Sequence, residues 1–298
     1  MSVQITTAMV QKYKSGIEIG LQQKGSRFMD KVRNETQNAK YDFYDKINAT
    51  AAQKVTERHG NTPQMNTQHA RRSCGIVDYD WADLIDKADK LRLLEDPTSA
   101  YTMNAVMAIN RSKDDEIIAG AFATVYTGET GADAVVFPTS TDTNVVPVNY
   151  VESGAAANSG LTIAKLRRLG ELFDQYENDP DEERFLALST KQVSDLLRTT
   201  EVTSSDYNTV KALVEGKINQ FMGFTFVKSQ RLAVDTNSYR RLIAWVKSGL
   251  LLATAQDIEV DVSQRKDKRN ATQVYVCSTF GSIRMDEGKV FEVKCSEA

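Results

Sequence analysis

KVRNETQNAKYDFYDKINATAAQKVTERHGNTPQMNTQHARRSCGIVDYD, residues 31–80, is a polar, charged stretch with no core of its own, set ahead of everything that reads as globular. Its ends alternate apolar and polar residues. Val32, Tyr41, Phe43, Ile47 and Val55 lie on the way out, and Cys74, Ile76, Val77 and Tyr79 on the way back. Between them is a turn-rich tip, His59-Gly60-Asn61-Thr62-Pro63. This pattern predicts a long two-stranded hairpin. A lone hairpin is marginal in water, so the arm needs a surface to lie on. A second copy of the chain is the expected one.

Outward from the arm, Val10, Tyr13, Ile17 and Leu21 recur at helical spacing, which predicts a helix or partly ordered arm over residues 5–30 that Gly25 could end. A short amphipathic piece follows the hairpin at 80–89. Asp96-Pro97-Thr98 then opens the longest helix, with Asp96 as cap and Pro97 in the first turn. Its apolar stripe is Val106, Ile109, Ile117, Ala121 and Val125, and its expected wet face is Arg111, Lys113, Asp114, Asp115 and Glu116. At that length, roughly 40 Å, it is a spine.

Residues 126–160 read as short strands and loops, and 162–176 as a helix buried through Ile163, Leu166, Leu169, Leu172 and Phe173. Arg184–Leu188 reads as a strand, Lys191–Arg198 as a short helix and 205–214 as another. A strand at 221–227 has Gly223 at its start. Residues 239–252 fit either helix or strand. Asp257–Val262 and Gln273–Thr279 alternate around the basic turn 265–270 and predict a hairpin, and 282–285 and 290–293 read as closing strands.

The 298 residues are 41% hydrophobic and 26% charged, ordinary for a soluble globular protein, with a formal net charge of -3. That balance disfavours a dedicated DNA-binding protein. No apolar run is long enough to cross a bilayer, and the N-terminus lacks a signal-peptide pattern. The three scattered cysteines, Cys74, Cys277 and Cys295, fit a reducing compartment better than a disulfide framework.

The chemistry of catalysis is sparse. Both histidines, His59 and His69, lie in the arm near its tip, a poor place for a base that needs rigid positioning. There is no CxxC, HExxH, GxGxxG or GxxxxGK[ST] spacing, so neither a metal nor a cofactor is expected. Asp114-Asp115-Glu116 and the acidic run 179–183 read as solvated charge. Arg58, Arg71 and Arg72 form a basic cluster without interleaved aromatics, better suited to fork a neighbour's carboxylates than to bind nucleic acid. Cys74 has no base or metal partner nearby in sequence and reads as inert.

Taken together, an arm, a protruding hairpin, a spine helix, a mixed α/β region and closing strands resemble the major capsid protein of tailed bacteriophages, of the Hong Kong 97-type fold. Two stretches carry the resemblance: DYDWADLID at 78–86 ahead of Asp96-Pro97-Thr98, and GKINQFMGFTFVKS at 216–229. It implies an α+β, Hong Kong 97-like fold. Its parts would be an N-terminal arm over 1–30, an extended hairpin loop over 31–80 and a peripheral domain over 81–154 with the spine helix at 97–125. An axial domain over 155–255 and closing peripheral strands over 256–298 complete it. It further implies a non-enzymatic protein that self-assembles, through pentamers and hexamers, into the icosahedral head shell of a virion put together in the host cytoplasm. The shell would enclose double-stranded DNA without sequence-specific binding and without a membrane.

Expected partners are further copies, a separate scaffolding protein, a portal and, in some shells, a decoration protein. The scaffolding expectation rests on the chain starting directly at the arm. The crosslinking lysine and asparagine of one well-known relative have no assignable counterparts. Residues expected at contacts between subunits are Arg33, Tyr41, Phe43, Tyr44, Arg58, His59, Arg71 and Arg72. The alternatives are an encapsulin-type compartment shell and a hydrolase using the acidic loop at 179–183.

Overall fold

The computed structural model describes residues 20–58, 60–62, 64–86, 98–138, 144–198 and 220–297. In chain order the strands are β1 (Arg33–Thr36), β2 (Tyr41–Ile47), β3 (His69–Gly75) and β4 (Val77–Ile85), followed by helix α1 (Thr98–Phe122). Then come β5 (Val125–Thr127), β6 (Asp133–Val135), β7 (Val145–Val146), α2 (Ile163–Gln175), β8 (Arg184–Leu188) and α3 (Thr190–Arg198). The chain closes with β9 (Gln220–Phe221), β10 (Phe224–Lys228), β11 (Tyr239–Val246), β12 (Leu250–Arg265), β13 (Ala271–Arg284) and β14 (Val290–Ser296).

Two compact units divide the chain: residues 1–26, 78–112 and 256–279 form one, and 27–77, 113–255 and 280–298 the other.

In the first unit the outer halves of β12 and β13 run antiparallel as neighbours with β4. Side chains stitch β4 to β13: Tyr275 donates to Asp80 at 2.8 Å and Thr279 to Asp78 at 2.7 Å. Val274 and Val276, two apart as a strand face requires, are buried, as are Ala105 and Ile109 on α1. The amphipathic piece at 80–89 is strand as far as Ile85, continuing β4 from Val77, and the cross-strand bonds fall on Asp78 and Asp80 at the start of that strand.

The second unit is built on a six-stranded sheet in the order β7-β14-β11-β8-β10-β9. The ambiguous stretch 239–252 resolves into β11, a short 3-10 turn at Lys247–Gly249, and the start of β12. Trp245 at its centre is fully buried; Phe28 stacks on it at 5.6 Å, and its ring N–H donates to the Lys31 carbonyl at 2.9 Å. The stripe of α2 packs inward, placing Phe173 edge-on against Phe291 at 4.4 Å. Thr162 caps this helix by accepting from the Lys165 backbone N–H. Beyond its end, Asn178 donates to the Phe173 and Gly288 carbonyls. In the same unit β1 pairs in parallel with the start of β12, Arg33 opposite Leu251.

Several expectations change. Residues 20–28 are not helical; a 3-10 turn, Met29–Lys31, precedes β1. Lys113 and Asp114 are buried, not wet. The Asp114 carboxylate accepts the backbone N–H groups of Arg27 and Phe28, and the Lys113 ammonium lies 5.7 Å over the Phe280 ring. Gly223 does not start a strand but sits with Met222 in the two-residue turn between β9 and β10. The predicted helix at 205–214, the cap at Asp96-Pro97 and most of the N-terminal helix lie outside the described residues.

Candidate intersubunit surface

The arm is a hairpin at its root. β2 and β3 pair antiparallel, from Tyr41 opposite Gly75 to Ile47 opposite His69, and β3 continues through β5 to β6. Asn48 N–H donates to the Gln68 carbonyl at 3.0 Å and closes the ladder. Of the described residues between 48 and 68, only Asn48 and Thr67 are partly covered, and none is in a strand.

Alternation assigns the two faces of the root. Tyr44 faces inward onto a cluster of Cys74, Val125, Leu251, Ala253, Ile283 and Met285. Burial pushes the Tyr44 hydroxyl and the Cys74 thiol up to about 12 each, so Cys74 is a packed, unreactive thiol. The backbones of Gly75 and Gly281 approach so closely that a Cβ on Gly281 would stand 2.1 Å from the Gly75 carbonyl oxygen. Only glycine fits there.

Ion pairs tie the root to the turn after β13. Lys46 pairs with Asp286 at 2.5 Å and Arg72 with Glu287 at 2.7 Å. Gln37 adds a donor to the Cys74 carbonyl at 3.1 Å.

The other face looks away from the core and carries Tyr41, Phe43, Asp45 and Ile47, opposite Gly75, Ser73, Arg71 and His69. Tyr126, opposite Ser73, extends it onto β5. Tyr41 is 60% exposed and Ile47 65%, and Tyr126 is half exposed. The Gly128–Gly131 turn leans on Phe43, where a Cβ on Gly131 would lie 3.2 Å from the ring. Beyond the root, the tip adds exposed Val55 and Met65. A fold rarely leaves this much large apolar surface uncovered along one element.

The eight residues expected at contacts fall into groups. Tyr41, Phe43 and Arg71 share the outer face; Arg71 lies over the Phe43 ring at 5.5 Å and pairs with Asp45 at 3.3 Å. Arg58 is exposed in the tip. Arg33 is exposed on β1, paired with Glu35 of its own strand. Tyr44 and Arg72 point into their own chain, and His59 lies outside the described residues. Ile47 belongs with the outer group, and its place in the Tyr41-Phe43-Ile47 alternation is the signal for it. Tyr126, about 50 residues from its strand partner, has no such local signal.

Elsewhere, the acidic loop supports backbone. Asp179 accepts the Asp181 N–H and Glu182 the Ser248 N–H. Among the described residues no group of three His, Cys, Asp or Glu side chains is placed to hold a metal, and no helix is long and apolar enough to cross a membrane. The exposed basic turn at 265–269 is internally paired through Arg265 and Asp267 at 2.8 Å.

Comparison with known proteins points one way. A family model described as phage capsid protein matches residues 5–297. No curated protein matches the chain. Among solved structures, the capsid of the cyanophage P-SCSP1u aligns with a TM-score of 0.71 at 15% identity, covering 98% of this chain and 94% of that one. The capsid of Ralstonia phage GP4 gives 0.71 at 11%, covering 96% and 95%. A chain of Mycobacterium phage Che8 gives 0.68 at 14%, covering 95% and 96%. At these identities the likeness is one of fold, and the α+β architecture is the capsid one.

Proposed function

The chain belongs to the phage capsid protein family, and from that premise we propose how its hairpin builds the shell. It is a major capsid protein, and its place is the head shell of the virion. The outer face of the root, Tyr41, Phe43 and Ile47 with Tyr126, lies against an adjacent subunit, and the tip reaches across it. Burying such side chains contributes on the order of 25 cal/mol per Å² removed from water, which one chain alone leaves unrealised. The contact is heterologous, one surface meeting a different one, so repetition closes rings. Arg58 and Arg71 meet the neighbour's carboxylates as guanidinium forks. The protein acts by geometry and not by catalysis, and its shell encloses double-stranded DNA that a chain of net charge -3 leaves mobile.

The observation that carries this reading is the outer face and tip together: exposed apolar groups on a root otherwise firmly fixed to its own core. The test replaces residues 50–66 by a two-residue turn, using the Asn48–Gln68 hydrogen bond as the new hairpin end. The variant should fold, with unchanged circular dichroism and melting temperature, and fail to form shells under the electron microscope. Shells at normal yield would show that the tip is not the assembly device.

A further inference from the structure

We propose that the root of the hairpin holds a small anion between Arg72 and Arg284. Arg284, at the end of β13, is fully buried. Its Nη1 donates to the Ala121 and Ala123 carbonyls at 2.8 and 3.2 Å, and its guanidinium lies 5.1 Å from the Phe137 ring centre. Its Nε and Nη2 are buried and make no hydrogen bond, Nε facing Glu287 Oε1 only as an ion pair at 3.5 Å. Arg72, 7% exposed, donates from Nη2 to Glu287, while its Nη1 is also buried and unpartnered.

One carboxylate thus stands between two guanidiniums. Glu287 Oε2 accepts from Arg72, but Oε1 is 3.5 Å from Arg284 Nε, too far for a hydrogen bond. The surrounding charges are matched elsewhere: Lys46 by Asp286, and Arg241, which covers the Phe122 ring, by Glu292. One positive charge remains in a buried place with three guanidinium nitrogens that make no hydrogen bond, beside a single carboxylate oxygen, Glu287 Oε1, that makes none either. Buried polar groups in folded proteins nearly always have a partner, and an orphan calls for a water or an ion. A water satisfies a donor but leaves the charge; an anion answers both. Guanidinium edges are suited to it, being planar, weakly hydrated forks. The site lies within one chain, so it is present before assembly and does not depend on how subunits meet.

The test uses the full-length, unassembled chain. Its melting temperature is followed as chloride, and separately inorganic phosphate, replaces gluconate at constant ionic strength. The wild type should show a saturable rise of about 2 °C or more. Arg284→Met should abolish the rise. Glu287→Gln, which removes the competing carboxylate, should lower the half-saturating concentration by about tenfold. A flat wild-type response, a rise that survives Arg284→Met, or a Glu287→Gln titration no tighter than wild type would overturn the proposal. If Arg284→Met does not fold, the Glu287→Gln titration decides alone.

Discussion

Glu297 accepts hydrogen bonds from three side chains: Arg240 in a two-point fork at 2.8 and 3.0 Å, Gln192 at 3.0 Å and Ser189 at 3.1 Å. These donors, Arg240 foremost, hold its carboxyl down at about 2, against 4.5 for an ordinary glutamate. A carboxylate acid-strengthened by folding contributes stability that is present above about 4.5 and is lost as pH falls toward 2. The gap in melting temperature between wild type and Glu297→Gln should therefore be full above pH 5 and narrow steadily as pH falls from about 4.5 toward 2. A gap that stays constant across that range would remove Glu297 as the titrating group. Such residues are hard to read from the chain alone. Asp114 sits in an Asp-Asp-Glu run that spells a wet helix face, yet its donors, Arg27 and Phe28, are 87 and 86 positions away. Arg72 and Glu287 are 215 apart. Lys165 looks solvent-facing by type but is buried, its ammonium held by the Ser159, Gly160 and Lys294 carbonyls at 2.8 to 3.0 Å. Local pattern carries no information on partners at such separations.

At the scale of elements, the turn between β9 and β10 shows a local choice that does not match its geometry. Met222 (φ 49°) and Gly223 (φ 81°) both adopt left-handed backbone, as a two-residue hairpin turn of mirror type requires. Glycine is at ease there and methionine is not. Met222→Asn should stabilise the subunit by about 0.5–1 kcal/mol, read as a higher midpoint in urea at unchanged slope. A lower midpoint would mean that the partly exposed Met222 side chain contributes packing that outweighs its backbone cost. Elements whose pattern is self-contained were legible: α2 from its five-residue stripe and the β12–β13 hairpin from alternation around a basic turn. The β2–β3 hairpin was legible in part: Tyr41, Phe43, Ile47 and Cys74 lie in it, whereas Val32, Val55 and Ile76 fall outside its strands and Val77 and Tyr79 belong to β4, beside β13. The pairing of β1 with β12 was not, because a parallel pairing across about 220 residues leaves no local trace.

For the molecule as a whole, charge is the property that bears on the proposed enclosure of duplex DNA. A net charge of -3, with the basic turn at 265–269 partly neutralised by Asp267, gives little counterion release on meeting DNA. The purified subunit should bind duplex DNA no more tightly than roughly 10⁻⁵ M at physiological salt. Submicromolar, steeply salt-dependent binding would contradict a shell that leaves its contents mobile. The hairpin has another consequence. Its root is bound by the close Gly75–Gly281 approach and by ion pairs to two successive residues, Asp286 and Glu287, whereas the described residues of its tip, between 49 and 66, are all exposed. Substitutions in the root are therefore judged by folding, inside each polypeptide. Under the proposed assembly, substitutions between 49 and 66 escape that filter and are judged by the surface of another copy. In a lineage of such chains, compensating changes for the tip should appear at positions remote from it in the fold, and its length should drift more freely than any other segment of the chain.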